Sequence, residues 1–210
     1  MVKKTSSEGD PKGKGRRKNS LFQKRQKQIL TKAMQLFMEK GYARSSMREI
    51  SRATGIDIRN LYYYIKNKEE ILFLVFEMLH KPELELFEEG GILEMDDPVE
   101  QLRAVISGLV EIGYDYDEEI LLLYRESKSL SKPLLKRILE KESMVVSHIE
   151  EILEKGRRRG AFDIEDTSFT ANLIIYQLSL YALRNWNMKE YSKERLTELM
   201  ERNIMKMVMA

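Results

Sequence analysis

The stretch that decides the fold runs from residue 29 to residue 69 and reads ILTKAMQLFMEKGYARSSMREISRATGIDIRNLYYYIKNKE. Up to Gly41 its apolar residues recur at spacings of three and four, a pattern typical of an amphipathic helix. Two shorter helical segments follow, each preceded by a turn. The stretch therefore predicts three helices in the layout of a helix-turn-helix unit.

Local signals mark where the short helices begin and turn. Ser46 and Glu49 have the spacing of a capping box, and Asp57 and Asn67 are N-cap residues for the two helices that follow. Gly55 lies where the chain must turn sharply, which predicts a positive φ. The small core beneath the third helix is predicted to contain Ile50, Ala53, Ile56, Leu61 and Ile65.

The outer face of the third helix is predicted to carry Ile58, Arg59, Asn60, Tyr62 and Tyr63. Arginine and asparagine have the geometry for bidentate contacts to the edges of guanine and adenine, respectively. This face is therefore the candidate for reading base pairs.

The composition excludes several classes of function. The chain has no cysteine, so disulfides, thiolate zinc sites and cysteine nucleophiles are excluded. It has no Gly-rich phosphate loop, nucleophile elbow or metal-ligand cluster, and only His80 and His148 as histidines. We therefore expect no catalytic residue, metal or cofactor. No apolar run reaches the length of a membrane span, and no signal peptide is evident, so we expect a cytoplasmic protein.

Charge divides the chain into segments of opposite character. Residues 1–80 carry 18 Lys and Arg against 8 Asp and Glu, whereas residues 81–210 carry 18 against 26. A basic front and an acidic back suggest that only the front meets a polyanion. Residues 1–20 are basic and almost without apolar side chains, which predicts a disordered arm. The arm is either a further DNA contact or a solubilising tail, and the domains are predicted at 21–80 and 81–210.

The remainder of the chain shows helical periodicity and no sustained alternation, so the fold is predicted to be all-α. A helix from Lys68 toward Phe87 contains Pro82, which should kink or break it. Asp97 and Pro98 together, and Pro133, mark further helix starts. The last two long helices are predicted at about Asp166–Arg184 and Ser192–Met209.

The quoted stretch also resembles a known family. The matching positions are Ile29, Ala33, Leu36, Phe37, Gly41 and Tyr42, then Ser46–Ile50 with Gly55 and Ile56, then Leu61, Tyr62, Tyr64, Ile65, Lys68 and Glu69. Their spacing and residue types resemble the DNA-binding domain of the TetR/AcrR family of repressors. The resemblance covers about 50 of the 210 residues. It implies that Ser46, Arg48, Tyr62, Tyr64 and Lys68 meet the DNA, mainly at phosphates. Arg59 departs from the glycine, alanine or proline that many members carry there.

The resemblance further implies that residues 81–210 form a ligand-binding and dimerisation domain. The expected function is a ligand-responsive repressor, a homodimer through its last two helices, bound to a pseudo-palindromic operator and released by a small hydrophobic effector. Polar and aromatic residues within apolar stretches are the candidates for the effector site: Tyr114, Tyr124, Arg125, His148, Tyr176 and Trp186.

The chemistry of the effector is left open by the sequence. The passage Leu123–Ser127 is similar to members that sense acyl-CoA thioesters or fatty acids, and Arg157–Arg159 would attract CoA phosphates. An aromatic or drug-like molecule is an equal alternative. A non-enzymatic helical adaptor or structural protein without an effector is the rival function.

Overall fold

The computed structural model describes the backbone of residues 11–209 and the side chains of residues 21–209. Within that range the chain is helical, apart from connecting segments and one isolated antiparallel bridge between Phe162 and Met209. The predicted all-α fold is confirmed. The helices are α1 (Pro11–Lys40), α2 (Met47–Thr54), α3 (Ile58–Tyr64), α4 (Lys68–Glu88), α5 (Pro98–Asp115), α6 (Asp117–Glu126), α7 (Lys132–Arg158), α8 (Thr167–Leu178), α9 (Leu180–Leu183), α10 (Asn185–Met188) and α11 (Lys193–Val208).

The chain folds as two compact units, one up to Ile71 and one from Leu72. The sequence placed the boundary later, between residues 80 and 81. The difference arises because the middle of α4 packs in the second unit, where His80 is fully buried and bonded to Glu142 of α7.

The first unit consists of α1, α2, α3 and the first turn of α4, with α1 packed against both short helices. Gly41 ends α1 with a φ of 90°, a conformation that suits glycine. The buried side chains include Ile29, Phe37, Ile50, Ile56, Leu61 and Ile65. Ala53, predicted for this core, is exposed, because α2 buries only Ile50 against its neighbours.

The predicted arm needs correction where the structure describes it. The first ten residues lie outside the described residues, but α1 already begins at Pro11. Proline suits the first turn of a helix, and lysine and arginine are good helix formers. Once the apolar part of α1 is helical, extension toward the N-terminus costs little, because the nucleus already exists.

Two helix boundaries in the second unit also differ from the sequence expectation. The helix α4 continues through Pro82 to Glu88, with apolar side chains such as Leu79 and Phe87 buried on both sides of the proline. The predicted helix Asp166–Arg184 instead ends at Leu178. There the Ser179 hydroxyl donates to the Ile175 carbonyl at 3.0 Å, a bond of the kind that bends helices.

Three helix starts of the second unit lie where the sequence predicted them, and each has a side-chain cap. Asp97 accepts from the Val99 amide, Asp166 from the Phe169 amide and Ser192 from the Arg195 amide. In this unit α5 packs against α7, α8 and α11, and α7 pairs with α8. The core between them is formed by fully buried apolar side chains: Leu102, Val105, Ile106, Ile149, Ile174 and Ile204.

Candidate nucleic-acid interface and ligand cavity

The start of α2 is held by the predicted capping box. The Glu49 amide donates to the Ser46 hydroxyl, and the Glu49 carboxylate accepts from the Ser46 amide at 2.9 Å and its hydroxyl at 2.8 Å. The Lys40 ammonium of α1 also contacts this carboxylate. These hydrogen bonds, from Lys40 first and then Ser46, lower the pKa of Glu49 from 4.5 to about 2. The carboxylate is therefore a fixed negative charge that anchors α2 to α1.

The turn into α3 is fixed by Gly55 and Asp57. Gly55 has a φ of 66°, as predicted, and Asp57 accepts from the Arg59 amide at 2.9 Å as the N-cap of α3. The Ser51 hydroxyl donates to the Ile56 carbonyl at 2.6 Å, which ties the turn back to α2. The orientation of α3 relative to α2 is thus set by local bonds and by the buried Leu61.

The outer face of α3 carries the polar and aromatic groups that the sequence predicted. Arg59, Asn60, Tyr62 and Tyr63 are exposed, whereas Ile58 is partly covered. Arg48, in the first turn of α2, is also exposed. An exposed helix with arginine and asparagine on one face has the dimensions and donors for entering a major groove.

The tyrosines of α3 differ in their surroundings. Tyr64 packs its ring against Phe22 of α1 at 5.0 Å between centroids and is half-buried. Tyr63 meets the edges of both rings but keeps 69% of its surface exposed. Tyr62 is half exposed. Tyr62 and Tyr63 therefore present more surface to a ligand than Tyr64 does. Tyr64 instead stabilises the contact between α3 and α1.

Lys68 has a structural contact that the sequence did not reveal. Its ammonium donates to the carbonyls of Tyr42 at 2.7 Å and Ser45 at 3.0 Å, and it lies over the Tyr42 ring. These bonds tie the start of α4 to the loop between α1 and α2. The phosphate contact expected of Lys68 stays a prediction, whereas its role in positioning the loop is visible.

A cleft of about 470 Å³ beside α3 adds a residue that sequence reasoning missed. Arg25 of α1 lines this cleft together with Asn60 and Tyr63. The exposed Lys24 and Lys27 lie on the same stretch of α1. The basic run from Lys24 to Lys27 was the available signal, but its position beside α3 depends on how α1 packs.

A narrow cavity lies within the second unit, among α4, α5, α6, α7 and α8. Its walls are mainly apolar, from residues such as Leu79, Leu109, Leu123 and Val145, but Glu83 and Glu142 also line it. A surface groove of about 640 Å³ between α7 and α8 shares Tyr124, Glu142 and Ile175 with the cavity.

Only two of the six predicted effector residues lie at these openings. Tyr124 lines both, and Tyr176 lines the groove. Tyr114 stacks on Tyr181 at 4.6 Å, and His148 stacks on Phe87 at 4.8 Å. Arg125 and Trp186 are exposed and line neither opening.

The carboxylates of the cavity were missed, although the sequence carries a signal for them. Glu83 takes an apolar position in the series Phe76, Leu79, Glu83, Phe87, and Glu142 does so in the series Ile138, Glu142, Val145, Ile149. An ionisable residue within an amphipathic stripe faces the interior and needs a partner there.

Two arginines at and just after the end of α7 bond to carboxylates of the chain. Arg157 forms hydrogen bonds with Glu154, and Arg159 pairs with Asp96 at 2.8 Å. Among the side chains of residues 21–209, no cluster of His, Asp or Glu is arranged to hold a metal ion. No described helix is long and apolar enough to cross a membrane.

Comparison with known proteins matches both parts of the chain to one family. Residues 29–75 match the model described as bacterial regulatory proteins, tetR family, and residues 95–186 match the tetracyclin repressor-like C-terminal domain. The HTH-type transcriptional regulator HbdR of Aromatoleum sp. (strain CIB) is 27% identical over 86% of this chain and 81% of its own length.

Two solved structures share the fold. A bacterial regulatory protein in the tetR family from Rhodococcus RHA1 superposes with a TM-score of 0.79 at 19% identity, over 89% of this chain and 98% of its own. AibR, solved in complex with isovaleryl coenzyme A and operator DNA, gives a TM-score of 0.72 at 23% identity, over 84% of this chain and 96% of its own.

Proposed function

Because the chain belongs to the TetR family of bacterial DNA-binding regulators, we propose that it is a ligand-responsive repressor that binds a pseudo-palindromic operator as a homodimer. Members of this family are regulators and not enzymes, so the site to explain is a DNA-binding surface. The observation that carries the proposal is the face of α3, where Arg59, Asn60, Tyr62 and Tyr63 are exposed together on a helix whose start is fixed by the Gly55 turn and the Asp57 cap.

Arg59 and Asn60 are the proposed base readers, and their neighbours are the proposed phosphate contacts. Tyr62 and Tyr63 have exposed side chains, and the exposed Arg48 and Arg25 add positive charge to this unit. Phosphate contacts position a protein on the duplex, whereas base contacts give sequence specificity. Ser46 takes part through the capping box, which holds α2 in place for Arg48.

Dimerisation is proposed through α8 and the last helix. Phe169, Leu173 and Tyr176 recur at spacings of four and three on α8, and all three are exposed, which leaves an apolar stripe uncovered. One short recognition helix reads too few base pairs for useful specificity, so two copies on an inverted repeat are needed.

The proposed effector is a small, largely apolar molecule bound in the second unit. The cavity and the groove that adjoins it supply apolar contacts, and AibR was solved with both isovaleryl coenzyme A and operator DNA. An acyl-CoA is thus a second candidate, favoured by that neighbour. The arginines of residues 157–159 do not add to it, because Arg157 and Arg159 already bond to carboxylates of the chain.

The proposed mechanism is a shift between two populations. The helix α4 begins in the first unit and runs through the second, where it lines the cavity. An effector that favours a different position of α4 would change the spacing of the two recognition helices. Operator and effector must then weaken each other's binding by the same factor.

Selection of bound duplexes from random DNA tests the DNA-binding part. We expect an inverted repeat with half-sites about one helical turn apart, and binding that weakens steeply with salt. Arg59→Ala with Asn60→Ala should relax the selected sequence. Failure to enrich any sequence would contradict the proposal and favour the adaptor alternative.

A further inference from the structure

The cavity of the second unit is lined by acidic groups and by no basic ones. Glu83 and Glu142 line the cavity, and Glu142 and Glu150 line the groove that continues it between α7 and α8. Among the described residues, neither lining contains a lysine or an arginine. An anionic head group would meet the carboxylates of Glu83 and Glu142 there.

One of the two cavity carboxylates already has a counter-charge. The fully buried His80 places Nδ1 2.7 Å from the Phe76 carbonyl and Nε2 2.7 Å from Glu142 Oε1. A carbonyl oxygen only accepts, so Nδ1 must carry a hydrogen, and an ionised Glu142 requires a second hydrogen on Nε2. Burial lowers the pKa of His80, but the bond to Glu142 and the charges of Glu83 and Glu142 outweigh this and raise it. His80 and Glu142 thus form an ion pair.

Glu83 has no such partner. It lines the cavity, and among the described residues it forms no hydrogen bond or ion pair. Burial raises the pKa of Glu83 to about 7; the His80 charge opposes this rise, and the Glu142 charge adds to it. When Glu83 is ionised, the site therefore holds two carboxylates against the single imidazole of His80, and it lacks one positive charge.

We propose that the cavity takes the ammonium group of an apolar amine, with Glu83 as its counter-ion. The free volume of the cavity, about 30 Å³, is enough for a group the size of water. An ammonium head fits this volume, whereas a ring or an alkyl chain does not. The apolar body lies in the adjoining groove, against Leu139, Val146 and Ile175. That this amine acts as the effector rests on the proposed function, whereas its binding does not.

Calorimetric titration of the full chain without DNA tests the inference, with hexylamine, hexanol and hexanoate as probes of equal chain length. At pH 8 we expect hexylamine to bind at least about tenfold more tightly than hexanol, because hydrogen bonds to a charged partner are the strong ones. Hexanoate should bind least. Glu83→Gln should remove the preference, and Glu88→Gln, exposed on the same helix, should preserve it.

The pH profile of the wild-type chain gives a second readout without a variant. The titratable groups that face Glu83 are His80 of α4, Tyr124 of α6 and Glu142 of α7. The helices α5 and α8 and the residue after α8 contribute only uncharged residues: Leu109, Gly113, Ile175, Leu178 and Ser179. Since Glu83 ionises near pH 7, the advantage of hexylamine over hexanol should grow from pH 6 to pH 8.

Three results would overturn the inference. These are equal affinity for hexanol and hexylamine, an amine preference that survives Glu83→Gln, and tight binding of hexanoyl-CoA that Glu83→Gln does not weaken. Operator affinity is measured separately on the same preparations. A chain that binds the operator but not the amine contradicts only this inference. A chain that binds the amine but not the operator contradicts only the proposed function.

Discussion

Glu49 links three elements of the DNA-binding unit through a single carboxylate. It accepts from the amide and hydroxyl of Ser46 and pairs with Lys40, so one carboxylate joins α1, the loop and α2. The same hydrogen bonds lower the pKa of Glu49 to about 2. The folded chain holds this carboxylate ionised at a pH where the unfolded chain does not.

The pH dependence of stability tests this role. Because folding lowers the pKa of Glu49 from 4.5 to about 2, its contribution to the free energy of unfolding is present above pH 4.5 and is lost as the pH falls toward 2. Glu49→Gln keeps the capping-box geometry but removes the charge. Denaturant unfolding followed by circular dichroism should show wild type more stable than the variant at pH 7 and the two converging at pH 3.

The control for this prediction is Glu39→Gln, at an exposed position of α1. The difference in free energy of unfolding between this variant and wild type should change little over the same pH range. A Glu49→Gln variant whose deficit is the same at pH 3 and pH 7 would show that the carboxylate does not act through its charge.

Residue-level features were predictable where the cause is local in sequence. The capping box at Ser46, the positive φ of Gly55 and the cap at Asp57 follow from neighbouring residues, and the structure has all three. The inward bonds of Lys68 and the stacking of Tyr64 on Phe22 depend on distant parts of the chain. They could not be inferred from spacing alone.

At the scale of elements, the end of α7 depends on a close contact between a glycine and an aromatic ring. Gly156 is buried, and a Cβ atom built on it would overlap the ring of the buried Phe162. Phe162 follows the turn at Gly160, and the next residue, Asp163, donates its amide to the Val208 carbonyl at 2.9 Å. The contact therefore joins α7 to the end of α11.

Replacing this glycine should destabilise the second unit. Alanine at a helical position gains about 0.5–1 kcal/mol from propensity, but overpacking against the ring costs about 1–3 kcal/mol. We expect Gly156→Ala to lower the free energy of unfolding by about 1 kcal/mol in denaturant titrations. In a Phe162→Leu background the same change should cost less, and an equal cost in both backgrounds would contradict the assigned clash.

Helix starts were more predictable than helix ends. Asp97, Asp166 and Ser192 each cap the helix that the sequence assigned to them. The break after Leu178 was missed, because Ser179 acts through its own bond to the preceding turn and no glycine or proline marks the place. The extension of α1 to Pro11 was missed, because composition alone does not reveal how far a nucleated helix propagates.

At the scale of the whole molecule, the exposed stripe of α8 makes the assembly testable. Leu173→Glu places a charge at the centre of the stripe formed with Phe169 and Tyr176, and desolvating that charge at an interface is costly. Light scattering coupled to size-exclusion chromatography should find a dimer for wild type and a monomer for the variant.

Met144→Glu, at an exposed apolar position of α7, is the matched control and should remain dimeric. A Leu173→Glu chain that stays dimeric would place the interface elsewhere. The stripe lies on the helix that the sequence predicted as the penultimate one. The sequence did not show which of its apolar residues stay uncovered, because that depends on how α7 and α5 pack against α8.

We propose above all that the face of α3 reads the base sequence of DNA. The most direct measurement is the affinity of wild type, and of Arg59→Ala with Asn60→Ala, for the selected operator and for a random duplex at one salt concentration. A bidentate base contact contributes about 1–3 kcal/mol, so operator affinity should fall by at least about tenfold while random-duplex affinity changes much less. Arg158→Ala, exposed in the second unit, should leave both unchanged. An equal loss on both duplexes, or no loss on either, would contradict the claim.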